Sequence, residues 1–293
     1  MPFAVSNGVK LYYEECGSGD TVLFVHEMAG DVRSWAPQMR YFARRYRCIA
    51  YNARGYPPSD VPEDSGAYSQ AQAAEDVANV LRSLEIEKAH VIGLSMGAFA
   101  TLHFGLKNPR MARSLVVAGC GHGSARADEK QFRLDARKLA DEVESKGMQA
   151  LAEIYGRNAS RVQFEEKDPK GWTQWRDEFA EHSALGTAMT LRNVQSKRPS
   201  LLDLESDIRK LEVPVLLIAG DEDDPALDVT LWLKRTLPMA GLSIFPKSGH
   251  TVNLEEPALF NDSVQEFLWR VEAGAWGQRD PRARAKSTMF PEK

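Results

Sequence analysis

The chain has 293 residues, 43% hydrophobic and 27% charged, with a net charge of −4, the makeup of a globular protein with one large domain or a core carrying an insertion. Nothing in that balance favours a nucleic-acid partner, no window reaches the ~18 apolar residues of a membrane span, and no basic-then-apolar leader is expected from the first residues. The expectation is a cytoplasmic protein without nucleic-acid or membrane partners. Three cysteines, Cys16, Cys48 and Cys120, are too few and too scattered for a disulfide framework or a zinc site and read as small core residues.

In chain order, Val9 to Glu15 (VKLYYEE) has strand propensity, and the Gly17-Ser18-Gly19-Asp20 turn after it predicts an antiparallel hairpin. Thr21 to His26 (TVLFVH) is a continuous apolar run, the pattern of a strand buried on both faces. The pattern recurs at Tyr46 to Tyr51, His90 to Leu94, Ser114 to Ala118 and Val213 to Ala219, and more weakly at Leu242 to Phe245. Between these runs, Trp35 to Arg44, Gln70 to Leu84 and Met96 to Leu106 have helical spacing, so a mostly parallel sheet covered on both faces is expected.

The alternation stops between about 121 and 210, where charges are dense and Trp172, Trp175 and Phe179 recur at helical spacing. This stretch reads as a helical insertion, a cap over a core formed by 1–120 and 211–272. Pro257 to Val271 closes the core as an amphipathic helix with proline in its first turn. Residues 273–293 form a tail with Trp276 and Phe290 as its anchors, loose or docked on a neighbour.

Chemistry concentrates at Gly93-Leu94-Ser95-Met96-Gly97. Glycines two residues either side of a serine permit a sharp strand-to-helix turn that a Cβ would block, and such a turn holds the hydroxyl out. The helix that follows aims its N-terminal N–H groups at any anion forming beside Ser95. A nucleophilic serine needs a base and an orienting acid. Of the six histidines, His90 and His103 fall inside regular elements, and His122 and His182 fall in the insertion. His250 occupies a loop after the last strand, the end at which open α/β sheets bind ligands. Another strand end, Gly220-Asp221-Glu222-Asp223-Asp224-Pro225, offers the acid. One short turn alone does not supply the converging carboxylates of a hard-metal site.

The order Ser95, acidic turn, His250 resembles that of the α/β-hydrolases, and the similarity spans most of residues 3–271. It implies an eight-stranded, mostly parallel sheet with helices on both faces and an inserted helical cap. It also implies catalysis without a cofactor or metal: Ser95 as nucleophile, His250 as base and, through the G-x-x-D register, Asp223 as acid. The segment Asn52 to Asp60 resembles the family's D-x-R-G-x-G-x-S turn, departs from it at Asn52 and Pro57, and reads as packing. The oxyanion donors implied are the N–H groups of Met96 and Met28, the latter in His26-Glu27-Met28-Ala29-Gly30, where Glu27 replaces the family's glycine. Glu27 either points into a polar pocket or lies near the site as a proton donor or substrate selector. Trp172, Trp175 and Phe179 are either the cap's own core or walls of a substrate pocket.

The resemblance implies a hydrolase of a small ester, thioester or lactone acting through an acyl-enzyme on Ser95. The same scaffold also carries C–C bond hydrolysis, perhydrolysis, cofactor-free oxygenation and slow-turnover small-molecule receptors. The partner expected is a small-molecule substrate, and the tail and any apolar cap face are candidate contacts for a homodimer.

Overall fold

The structure is a computed structural model that describes residues 1–284. Its eight strands are β1 (Phe3–Ser6), β2 (Val9–Cys16), β3 (Thr21–Val25), β4 (Arg47–Tyr51), β5 (Ala89–Leu94), β6 (Ala112–Ala118), β7 (Val215–Gly220) and β8 (Ala240–Phe245). They form one sheet in the order β1-β2-β4-β3-β5-β6-β7-β8. β2 pairs antiparallel with β1 and β4, and all the other pairings are parallel. The apolar runs at β3, β5 and β7 are buried along their whole length, which is why they carry no polar alternation.

Helices α1 (Ala36–Phe42), α2 (Gln70–Ser83) and α3 (Met96–Lys107) follow β3, β4 and β5. Between β6 and β7 lie α4 (Glu129–Gly156), α5 (Val162–Lys167), α6 (Pro169–Ala180), α7 (Ala184–Thr190) and α8 (Glu205–Ile208). After them come α9 (Asp224–Thr236), α10 (Val252–Glu255) and α11 (Pro257–Glu272). On one face of the sheet Leu23, Val25 and Val91 pack with α2, α3 and α9; on the other, Val22, Phe24 and Ile92 pack with α1 and α11. Successive strand residues thus serve opposite layers, as a two-residue period requires.

The hairpin predicted across Gly17–Asp20 does not form. β2 instead makes its hairpin with β1 across Asn7-Gly8, both at positive φ (50° and 81°), the backbone a two-residue primed turn needs. β3 sits between β4 and β5 in parallel, since a strand buried on both faces must lie inside the sheet.

From α4 to α8 the chain is helical and rests on the carboxyl ends of the strands. Trp172, Trp175, Phe179, Leu151 and Leu191 share one apolar cluster with Met28, Tyr56 and Met96 of the sheet's loops. Contact is close enough at Gly186 that a Cβ would fall 1.9 Å from the Gly55 carbonyl oxygen. Trp276 docks on the protein itself: its ring meets Phe267 edge-on at 4.6 Å and its Nε1–H donates to the Met239 carbonyl (2.9 Å). Phe290, the other anchor expected in the tail, lies outside the described residues. Cys16, Cys48 and Cys120 are all free thiols. No helix among the described residues is long and apolar enough to cross a membrane.

Three histidines, His26, His90 and His103, are buried and held neutral, their pKa values pushed down by burial to about 4, 3 and 4. Below pH 6.5 the unfolded chain takes up protons that the folded chain refuses, so stability is full above that pH and falls on acidification towards pH 4. Denaturant titrations between pH 7 and 5 should show an unfolding free energy that falls as the pH drops. His90→Gln should make that fall shallower; a flat profile would contradict this account of the core.

Candidate active site

Ser95 stands between β5 and α3 at φ 54°, ψ −115°, a conformation costing about 1–3 kcal/mol that only surrounding structure can hold. A Cβ on Gly97 would lie 2.1 Å from the Val25 carbonyl oxygen, and one on Gly93 would lie 2.3 Å from that of Gly97. Both glycines are therefore required by contact. The Ser95 N–H is anchored on the Ala118 carbonyl of β6 (2.9 Å), and the side chain stays partly open to solvent.

Asp223 caps α9 after β7 and is fully buried, while His250 follows β8. Gly220 lets the two loops meet, because a Cβ there would fall 2.1 Å from the Ser248 carbonyl oxygen. His250 Nδ1 lies 2.7 Å from Asp223 Oδ2. A carboxylate only accepts, so Nδ1 carries the proton and Nε2 is left as the acceptor. Asp221 and Asp224 do not reach His250; Asp221 instead accepts from the Ser248 N–H.

His122, at the end of β6, is a second partner of the same acid, its Nε2 2.7 Å from Asp223 Oδ1 and its ring 4.5 Å from that of His250. Burial alone would raise the Asp223 carboxyl, but the charges and hydrogen bonds of the two histidines outweigh it and hold it well below the usual carboxylate range. For His122, burial and the neighbouring His250 push the pKa down. His122, Asp223 and His250 put one ligand atom each within 4.8 Å of one another. Those ring nitrogens are, however, already spent on hydrogen bonds to the carboxylate, so the donor set fits a shared acid better than a metal.

Ser95 and His250 line one cavity of about 80 Å³, walled by Met28, Phe132, Leu139 and Leu191. Their side chains are not hydrogen-bonded to each other here; such contacts often tighten only with substrate bound. A larger cleft of about 560 Å³ lies elsewhere, against Lys107, Arg110 and Lys210, and contains none of these residues. Its greater size is outweighed by its lack of a serine or a paired histidine.

Neither Met28 N–H nor Met96 N–H has an acceptor among the described residues, and Met96 opens α3, where such donors are normally free. The Met28 loop is braced from two sides. His26 Nε2 accepts from the Ala53 N–H (3.0 Å), which leaves Nδ1–H to donate to the Glu27 carbonyl (2.6 Å). Tyr56 donates its hydroxyl to the Met28 carbonyl (2.8 Å).

Glu27, Trp172, Trp175 and Phe179 are not among the residues that line this cavity. The Glu27 carboxylate turns towards the cap, pairs with the fully buried Arg161 at 2.5 Å and accepts from Trp175 Nε1 (3.2 Å). Both carboxylate oxygens of Glu27 are thus engaged by side chains of the α4–α8 segment. The three aromatics are cap core, with Trp175 and Phe179 stacked at 6.2 Å and Arg161 lying 4.6 Å over Trp175. The Asn52–Asp60 turn is likewise packing: Arg54 forms a buried pair with Asp76 (2.6 Å), and Asn52 accepts from the Val32 N–H.

Sequence reasoning left His122 a surface or substrate-facing role in the insertion, not a place beside Asp223, and passed over Arg161 and Arg198. His122 carried one usable signal, its place at the carboxyl end of a parallel strand. The two arginines, scattered among the charges of the insertion, carried none.

A family model described as alpha/beta hydrolase fold matches residues 20–257. A protein of Azorhizobium caulinodans provisionally named carbamate hydrolase is 35% identical over 284 residues, covering 93% of this chain and all of that one. A 3-oxoadipate enol-lactonase of Acinetobacter baylyi is 26% identical, covering 89% and 94%. Among solved structures, a thermophilic esterase from Thermogutta terrifontis superposes with a TM-score of 0.81 at 22% identity, covering 92% of this chain and 97% of its own.

The Glu27–Arg161 pair gives a direct test. Glu27→Gln leaves a buried guanidinium without its counter-charge and should cost about 3–5 kcal/mol of stability, read by chemical denaturation. A loss below about 1 kcal/mol would mean that the pair does not hold the cap to the loop.

Proposed function

The chain belongs to the α/β-hydrolase family, and we propose that it is a serine hydrolase of small carboxylic esters, thioesters or lactones. One observation carries this reading: the strained Ser95 opens into the same cavity as His250, whose Nδ1–H is held by a buried aspartate.

In the first step Ser95 Oγ attacks the substrate carbonyl while His250 Nε2 takes its proton. Asp223, kept ionised by its two histidine partners, fixes the imidazole tautomer and stabilises the imidazolium. The new oxyanion lies against the N–H groups of Met28 and Met96, each of which lacks a competing acceptor; one such donor is typically worth about two to three powers of ten in rate. The tetrahedral adduct collapses to an acyl-Ser95 ester, and His250 returns its proton to the departing alcohol or thiol. A water then gives one proton to His250 and attacks the acyl carbon, and His250 passes that proton to the departing Ser95 Oγ, releasing the acid and restoring the serine.

The helices from α4 to α8 act in this reading as a cap that keeps the reaction away from bulk water. The similarity to an enol-lactonase and to a protein named carbamate hydrolase supports carbonyl hydrolysis as the reaction class. The limited cavity favours short substrates over long-chain lipids.

The test is hydrolysis of methyl and p-nitrophenyl esters of graded chain length, with lactones alongside. Wild-type protein should turn over the short members, and Ser95→Ala should lower kcat by at least about four powers of ten with an unchanged unfolding midpoint. Ester hydrolysis retained in that variant would remove Ser95 from the mechanism.

A further inference from the structure

Among the described residues three arginines are almost wholly buried, and two of them have acids: Arg54 pairs with Asp76 and Arg161 with Glu27. The third, Arg198, is 6% exposed and has no Asp or Glu oxygen within 4 Å among the described residues. Its guanidinium is held in place nonetheless. It lies 3.7 Å over the Phe99 ring and 4.7 Å over Phe132, and it donates to Gln195 Oε1 (2.6 Å) and to the His122 carbonyl (2.5 Å). A guanidinium has five N–H donors, so three are uncommitted, and the buried Nε–H is among them.

This side chain lines the same cavity as Ser95 and His250. Burial pulls its pKa down to about 10, which leaves it charged at neutral pH. A buried cation without a counter-charge is costly, and the fold concentrates that cost beside its nucleophile. The one acid on the cavity lining, Asp135, is at the exposed rim and is hydrogen-bonded to Gln131.

We propose that Arg198 supplies the counter-charge for a carboxylate on the substrate, so that the esters or lactones taken by this site are those of acids bearing a second, ionised carboxyl group. The proposal rests on the hydrolase reading above. A planar guanidinium with free N–H groups suits a carboxylate because the two can form parallel hydrogen bonds. The apolar walls formed by Phe132, Leu139 and Leu191 accept the intervening carbon chain. Hydrolysis at the far carbonyl then leaves a dicarboxylate, or a hydroxy acid bearing a second carboxylate when the substrate is a lactone. Arg198 takes no proton and touches no reacting atom; it is a specificity residue.

The test compares monomethyl esters of C4–C8 dicarboxylic acids with neutral methyl esters of matched length, in wild type, Arg198→Lys and Arg198→Met. Wild type should favour the ionised esters in kcat/KM. That preference should shrink by about 10- to 100-fold in Arg198→Met and by less in Arg198→Lys, which keeps the charge without the fork. In parallel, binding of the free dicarboxylates is measured by calorimetry on Ser95→Ala and on Ser95→Ala/Arg198→Lys. The first should bind, and the second should bind more weakly.

A wild type that prefers neutral esters, or a preference unchanged in both arginine variants, would overturn the carboxylate site while leaving Ser95 chemistry intact. Arginine-dependent dicarboxylate binding without turnover of any ester would uphold the site and overturn the hydrolase reading. Should Arg198→Met fail to fold, the lysine variant and the calorimetry decide between these outcomes.

Discussion

The close contact of Gly97 with the carbonyls of Val25 and His26 governs the geometry of the whole site. It draws the start of α3 against the end of β3, and so brings the Met96 N–H to the loop that carries Met28. It also holds Ser95 in a backbone conformation the residue would not adopt alone. Any side chain at position 97 would separate the two strand ends and allow the serine to relax. The turn at Ser95 is thus a joint between β3 and β5, and the serine stays partly open to solvent because that joint is tight.

A second glycine performs the same service on the other side. Gly220 lets the β7 and β8 loops touch, and that contact places Asp223 against His250. The α4–α8 segment touches both of these loops through one buried arginine: Arg161 reaches Glu27 in the β3 loop and Thr251 beside His250. The residue that departs from the family's glycine pattern therefore links the cap to the Met28 loop. A glutamate is accommodated at position 27 because the α4–α8 segment supplies the guanidinium that pairs with it.

Much of the architecture was legible in the sequence. Strands buried on both faces announce themselves as unbroken apolar runs, and Gly93 and Gly97 mark the turn because no other residue fits there. The β1–β2 hairpin went unread although Asn7-Gly8 is a strong local signal, since Phe3–Ser6 is only four residues long and half exposed. The loops carrying Ser95, Asp223 and His250 could be placed from chain order, because a parallel sheet puts every strand's carboxyl end on one edge. What could not be read depends on contacts across the chain. Arg161 and Arg198 look alike in a charge-rich segment, and only the folded structure shows that one faces Glu27 while the other faces no acid among the described residues. His122 shares Asp223 across a separation of 101 residues, which no local spacing encodes.

The central claim is that Ser95 is a nucleophile activated by His250. The most direct measurement is labelling with a fluorophosphonate, which reacts with activated serines, followed by peptide mass mapping. A single adduct on Ser95 in wild type, lost in His250→Ala while the fold is retained, is the result this account predicts. An adduct on another residue, or labelling of Ser95 that survives the loss of His250, would contradict it.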